Sequence, residues 1–495
     1  MAISDARQVI DLAGLLREQF ARERRELDVL RRYVTGKQPL PLVIPRDAPA
    51  EVREMARISR INIIAIVVNA LVESLFVDNI RAVDTFGEDA PQLTPEQLAA
   101  SRSQPSDDAE LLVQQIWNVW QRNKLDRGQS GLYRAVFTYG YSYAVTYAGD
   151  PLPIVRAVSP RKMTTMYADD PDWPVYALEK RPAPGGRKRW RLYEETHMYD
   201  LAEDDRGRLE LLGEARHGLT YCPVVRYVDA EDLDEDDEPD WTPQEWTRAV
   251  QTNIVAGQVA PLMTLQDQAD VTTFSLRSAE WYTAFRQRWI VGWTPENRGQ
   301  KMQMGASQTW AFEDSPDDIR VGEFAETTLQ GYLNSRDATA RFAATLSQTP
   351  VHELIGELVN LSAEALAAAE AGRDRKVDLR KTSCGESHEQ LAGAIGDLIG
   401  VDVPDDIEVV WRDTSARAFG AMVDGLGKLA QMLGVPPQAL WERIPGVTRQ
   451  EISRWAKLAR EGDALAGLTG ILERQAAPPA GRTESGLILP PGVEL

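Results

Sequence analysis

Tyr139–Tyr147 reads Tyr-Gly-Tyr-Ser-Tyr-Ala-Val-Thr-Tyr (YGYSYAVTY), and this run sets the class of the fold. Its aromatic and β-branched residues suit a pleated, buried strand. Residues 109–137, just before it, are patterned as helix and carry Trp117-Asn118-Val119-Trp120. After it, Ile154–Val158, Val175–Lys180, Arg189–Tyr193 and His197–Leu201 also read as strands. Pro182-Ala-Pro-Gly-Gly186 supplies a hairpin turn between two of them. Residues 138–228 therefore form a β-rich module inside a mainly helical α+β chain.

Towards the N-terminus, Val9, Leu12, Leu16, Phe20, Leu27, Leu30 and Tyr33 recur at helical spacing over 8–34. Prolines 39, 41 and 45 break that pattern, and one helix is expected from Ala50 to Val77. Its apolar core, Ile61–Val77, carries Asn62, Asn69 and Glu73, so it reads as a buried helix and not as a membrane span. Thr94-Pro95-Glu96-Gln97 marks a further helix start.

Towards the C-terminus, nine of the twelve residues Asp229–Asp240 are acidic, which reads as a solvated linker. Thr242-Pro243-Gln244-Glu245 is a capping box, interrupted by Gly257 and Pro261. Helices are expected from Pro261 to Arg288 and from Glu323 to Leu346. Between them lie glycines, prolines and short β-like pieces, Trp289–Val291 and Thr309–Phe312. Pro350 marks a break, Leu361–Val377 and Glu386–Ile399 read as two helices, and Ile407–Trp411 reads as a strand. The last third is helical as far as 474, and the tail that follows is rich in Pro and Gly and reads as disordered.

The chain has 495 residues, 55 Lys+Arg and 75 Asp+Glu, for a formal charge of −20. That balance excludes a protein gripping nucleic acid through an overall basic surface, and a basic membrane-surface binder. Length alone suggests about three domains. Cys222 and Cys384 are too few for a disulfide framework, and Met1–Asp5 does not begin a secretion signal, so a soluble intracellular protein is expected.

No catalytic constellation emerges. Gly425-Leu-Gly427-Lys428-Leu429 lacks the hydroxyl residue of a phosphate-binding loop. His352-Glu353-Leu354-Ile355-Gly356 has Gly where a zinc helix needs its second His. Gly140-Tyr-Ser142-Tyr-Ala144 misses the last glycine of a nucleophile elbow, and Cys384 and His388 are more simply core residues. A carboxylate-metal nuclease or hydrolase built on Asp169, Asp170 and Asp172 stays as a rival reading. No cofactor or metal is expected.

Several patterns, taken in order, resemble the portal proteins of tailed double-stranded DNA bacteriophages over about 50–465. They are Arg60-Ile-Asn62 with Val67-Val68-Asn69, Trp120-Gln-Arg-Asn123 before Gly140-Tyr-Ser142-Tyr143, and Val158-Ser-Pro160-Arg161. They continue with Cys222-Pro-Val-Val-Arg226-Tyr227, Ala284-Phe-Arg286-Gln-Arg288-Trp-Ile290-Val-Gly292, Leu358-Val-Asn360-Leu-Ser362 and Arg412-Asp413.

The resemblance implies an interleaved portal fold. Residues 1–258 form a helical wing around the β-rich module, 259–288 one stem helix, and 289–322 a small clip. Residues 323–347 form the second stem helix, 348–360 a tunnel loop, 361–404 the return to the wing, and 405–474 a helical crown, with 475–495 as tail. It further implies a closed, usually dodecameric homo-oligomeric ring at one capsid vertex. The expected neighbours are the major capsid protein and scaffold, the terminase packaging motor, a head-tail adaptor and passing double-stranded DNA, with no membrane. The chain is expected in the virion after synthesis in the host cytoplasm, and another non-enzymatic head-tail connector or scaffold protein of the virion is the rival reading. Within this frame, Leu262, Leu265, Val271, Phe274, Leu276 and Trp281 on one stem helix are expected to pack across subunits. Phe324, Leu329, Tyr332, Leu333, Phe342 and Leu346 do the same on the other. Trp293, Arg298, Lys301 and Trp310 are expected to face the adaptor, and Thr349, Pro350, His352, Glu353 and Glu357 to line the channel.

Overall fold

The fold is that of a computed structural model describing residues 5–41, 44–45, 47–82, 107–168, 170, 172–182, 187–229, 257–284, 288–291, 320–323, 328–356, 363–401, 403, 407–412, 419–441, 444, 447, 451–452 and 454–459. Outside the described residues lie Trp293, Arg298, Lys301, Trp310, Phe324 and Glu357, the helix starts at Thr94 and Thr242, most of the acidic run, and the tail.

The tyrosine-rich run forms β2 (Tyr141–Tyr147), the centre of an antiparallel sheet ordered β3-β2-β9, with β3 at Ile154–Val158 and β9 at Val224–Val228. Every residue of β2 is buried. Tyr141, Tyr143, Val145 and Tyr147 point to one face, against Met163, Tyr193 and Cys222, while Ala144 joins the main core on the other. That is the two-residue period of a strand covered on both sides. Strands β4 (Met163–Met166), β5 (Tyr176–Arg181), β6 (Lys188–Tyr193), β7 (His197–Glu203) and β8 (Leu209–Arg216) follow as an antiparallel meander. Helix α1 (Ala6–Val34) lays Val9, Ala13, Leu16 and Phe20 on this sheet, where the Phe20 and Trp190 rings meet edge to face at 5.3 Å.

The helix expected from Ala50 to Val77 is two helices, α2 (Ala50–Ile58) and α3 (Ile63–Glu73). The break is fixed from outside: Asn62 caps α3 by accepting from the Ala65 N–H at 3.0 Å, and the Ile61 N–H donates to Asp270 at 3.0 Å. Val77 then opens β1 (Val77–Ala82), which pairs antiparallel with β12 (Ile407–Trp411). The helical stretch before β2 is also split, into α4 (Asp107–Arg122) and α5 (Leu125–Tyr139). Lys124 takes a left-handed conformation (φ 55°) at that joint. Asn123 holds it, donating to the Pro153 carbonyl and accepting from the Val155 N–H, so the joint also positions β3.

A short 3-10 turn at Ala260–Leu262 leads into α6 (Met263–Ala284). Strands β10 (Arg288–Val291) and β11 (Arg320–Glu323) pair antiparallel, and α7 (Gln330–Ser347) follows. Both helices are shorter than expected, because Arg288 and Glu323 belong to the strands. After α8 (Val351–Ile355), the two helices expected over 361–399 are one, α9 (Ala363–Ile399). No proline interrupts it. Val377, Cys384, His388, Leu391 and Ile395 form one buried stripe along it. The described residues beyond 416 belong to a second unit, containing α10 (Phe419–Leu433) and α11 (Pro437–Leu440). Gly425, Gly427 and Lys428 lie inside α10, and Lys428 pairs with Asp424 at 2.7 Å, one turn away.

Candidate functional site: a helical hairpin and its root

Helices α6 and α7 pack along each other, with the β10/β11 ladder between them in sequence. The face α7 turns inward is made of small residues: Thr339, Ala340, Ala343, Ala344 and Ser347 are buried. Small side chains let the helix backbones approach closely. The large apolar residues of α7 are displaced outward as a result, and Phe342 and Leu346 stand 67% and 55% exposed, one turn apart. On α6, Trp281 is 46% exposed. Leu265, Val271, Phe274, Leu329, Tyr332 and Leu333 are half-buried. Leu262 and Leu276 depart from expectation: they are 2% and 5% exposed within this single chain, so they have no apolar surface left for a neighbour. A shallow groove of about 520 Å³ runs between the helices, lined by Val271, Thr272 and Ser275 on one side and Gly331, Tyr332 and Ser335 on the other.

Polar groups that apolar periodicity overlooks fasten the hairpin to the body. Gln266 and Asp270, one turn apart on α6, are 1% and 0% exposed. Gln266 accepts from the Ile63 N–H at 2.9 Å and donates to the Ile61 carbonyl at 2.8 Å. Asp270 accepts from the Ile61 N–H and from Gln38 at 2.8 Å. Tyr33 donates to Asp267 at 2.9 Å. Burial pushes the Asp270 carboxyl up, against the pull of these donors. The sequence signal was a Gln-x-x-x-Asp pair on a helix face otherwise rich in apolar residues.

The same root of the hairpin also meets α9. Lys376 donates to the Ser347 carbonyl at 2.8 Å and to Gln258, and Gln258 in turn donates to Asp229. Arg380 pairs with Asp229 at 3.1 Å. Asp229, read from sequence as the start of a solvated run, is 1% exposed and buried as a counter-ion. Gly257 sits so close to the α5 terminus that a Cβ would fall 2.5 Å from the Gly140 nitrogen. Two residues expected to line a channel are instead interior: Thr349 is 5% exposed and Pro350 is buried. The Thr349 N–H closes the end of α7 on the Ala344 carbonyl at 3.0 Å, which draws this segment under the helix. His352 is half-buried, and Glu353 pairs with Arg373.

Elsewhere the reactive side chains are occupied structurally. His388 is 3% exposed, with Nε2 on the Tyr133 hydroxyl at 2.7 Å and Nδ1 on the Tyr227 hydroxyl at 2.9 Å, between Trp120 and Trp411. Burial lowers its pKa to about 3 and pushes the thiols of Cys222 and Cys384 up. Asp170 accepts from the backbone N–H groups of Asp172 and Trp173, a turn contact. Among the described residues no group of three His, Cys, Asp or Glu side chains is placed to hold a metal ion.

Comparison with known proteins adds the family. Portal proteins of Mycobacterium phage D29 and Mycobacterium phage L5 are each 26% identical to this chain, over 396 and 398 residues. Each alignment covers 74% of this chain and 76% of the relative. Among solved structures, a chain in the virion of a native gene transfer agent particle aligns with 80% of this chain and 96% of its own length, at 13% identity and a TM-score of 0.44. A chain from the neck of that native particle, computed with C12 symmetry, aligns with 80% of this chain and 92% of its own length, at 12% identity and a TM-score of 0.40. The profile of the family described as "Phage portal protein, SPP1 Gp6-like" matches residues 14–464, so this chain belongs to that phage portal protein family.

Proposed function

We propose that this chain builds a ring-shaped channel at one capsid vertex, through which viral double-stranded DNA is packaged and later ejected. The packaging motor docks on it first and the tail adaptor afterwards. The observation that carries this reading is the family match over 14–464, together with a helical hairpin that leaves Phe342 and Leu346 largely exposed in the protomer. In a cyclic ring each interface is head to tail, so one face of the hairpin meets a different face of the next copy. Under this reading 259–288 and 323–347 are the stem and 289–322 the clip, whose Trp293, Arg298, Lys301 and Trp310 face the adaptor. Residues 348–360 carry His352 and Glu357 towards the channel, 1–258 with 361–404 form the wing, and 405–474 form the crown.

The charge suits such a channel. Each contact between a cation and a phosphate adds affinity by releasing counterions, so a basic lumen would hold the duplex. A chain of net charge −20 repels DNA and leaves its movement to an external motor. The role needs no catalysis by the portal itself. Antibody labelling of this chain on intact virions tests the placement. Label at a single vertex supports the proposal, and label spread over the whole shell overturns it.

A further inference from the structure

One buried cation meets both strands of chain at the hairpin root. Lys376, on α9, is 7% exposed. Its ammonium donates to the carbonyl of Ser347, the last residue of α7, and to Gln258, just before the turn that opens α6. Both acceptors are neutral. The carboxylate in the junction, Asp229 at the end of β9, already accepts from Arg380 and from Gln258. The charged and titratable groups here are thus Lys376 and Arg380 on α9 and Asp229 beside them, with the buried Cys384 thiol further along α9. On α8, Glu353 is engaged by Arg373, which also faces Glu370. Two cations face one carboxylate where water is excluded, and water regained on opening would solvate the ammonium better than two neutral dipoles do.

We propose that this junction is the protomer's point of opening: the hairpin root parts from α9 and hydrates Lys376, while the β-rich body stays folded. Asp270 and Gln266 still tie α6 to residues 61–63, which makes that contact the pivot and Lys376 the latch. The latch is a property of the protomer and does not depend on the channel reading. In a channel, which rests on that reading, it sets where each subunit yields. Burial, with Arg380 acting in the same direction and Asp229 opposing, lowers the Lys376 pKa to about 8 from its ordinary 10.5. Between those values the closed form sheds the proton that the open form keeps, so raising the pH above about 8 favours closure.

Hydrogen exchange on the full-length protein at pH 7.5, 8.5 and 9.5, corrected for base catalysis, tests this. Amides of 262–266 and 344–349 should exchange more readily than those of β5–β7. Their protection should rise above pH 8, by up to about tenfold per unit, while β5–β7 stays level. Lys376→Met should abolish that rise. Level protection at the root, an equal rise in β5–β7, or a rise that survives Lys376→Met would overturn the proposal. If the variant fails to fold, the contrast between root and β5–β7 in the unmodified protein decides it.

Discussion

Replacing Phe342 with Asp separates assembly from folding. Phe342 is 67% exposed on the outer face of α7. An aromatic side chain carries about 200 Å² of surface, so roughly 130 Å² of it remains open to solvent or to a neighbour. At ~25 cal/mol per Å², covering that area contributes about 3 kcal/mol to each subunit contact. Loss of 3 kcal/mol weakens a pairwise contact by roughly two orders of magnitude, and a carboxylate placed there adds a desolvation penalty. The protomer does not bury this ring, so its own unfolding should change by less than about 0.5 kcal/mol. Mass photometry across a concentration series, beside a thermal melt, reads both quantities. Phe342→Asp should shift the population to small species at unchanged melting temperature. An unaltered oligomer distribution would refute the packing assigned to α7, and a large fall in melting temperature would show that Phe342 supports the protomer.

Three further predictions concern the protomer. Glu23 is 6% exposed, and burial raises its pKa to about 7 from 4.5, so wild-type stability falls as pH rises through that window; Glu23→Gln should gain on wild type by roughly 3 kcal/mol between pH 4.5 and 8 in urea unfolding, and a constant gap would refute this. His388, lowered to about 3, has the opposite slope: stability present above pH 6.5 is lost as pH falls towards 3, by up to about 1.4 kcal/mol per unit, and His388→Gln should lack that component in the same assay. Gly257→Ala should destabilise by about 1–3 kcal/mol, because its Cβ would fall 2.5 Å from the Gly140 nitrogen; an unchanged melt would mean the 257–259 segment shifts freely.

What could be read from the sequence was local. The strands β5–β7 and the helical stripe of α1 each lie within one stretch of chain, and each formed where patterning put it. The misreadings came from partners far away in sequence. The helix breaks over 59–62 because Gln266 and Asp270 bind the backbone of Ile61 and Ile63, and Val77 is a strand residue because Trp411 lies opposite it. In the hairpin, the face buried in α7 is made of Ala, Thr and Ser and not of its large apolar residues. Phe342 and Leu346 are therefore exposed in the protomer, whereas Leu262 and Leu276 are covered by the protomer itself. The root chemistry of Lys376, Asp229 and Gln258 joins three segments, and no single stretch of sequence displays it.

On the proposed function, copies of this chain close into a channel. Single-particle electron microscopy of the purified full-length protein at micromolar concentration tests it directly. Closed rings with cyclic symmetry, a central hole and a helical stem are the expected result. Monomers, dimers or open chains at every concentration examined would contradict it.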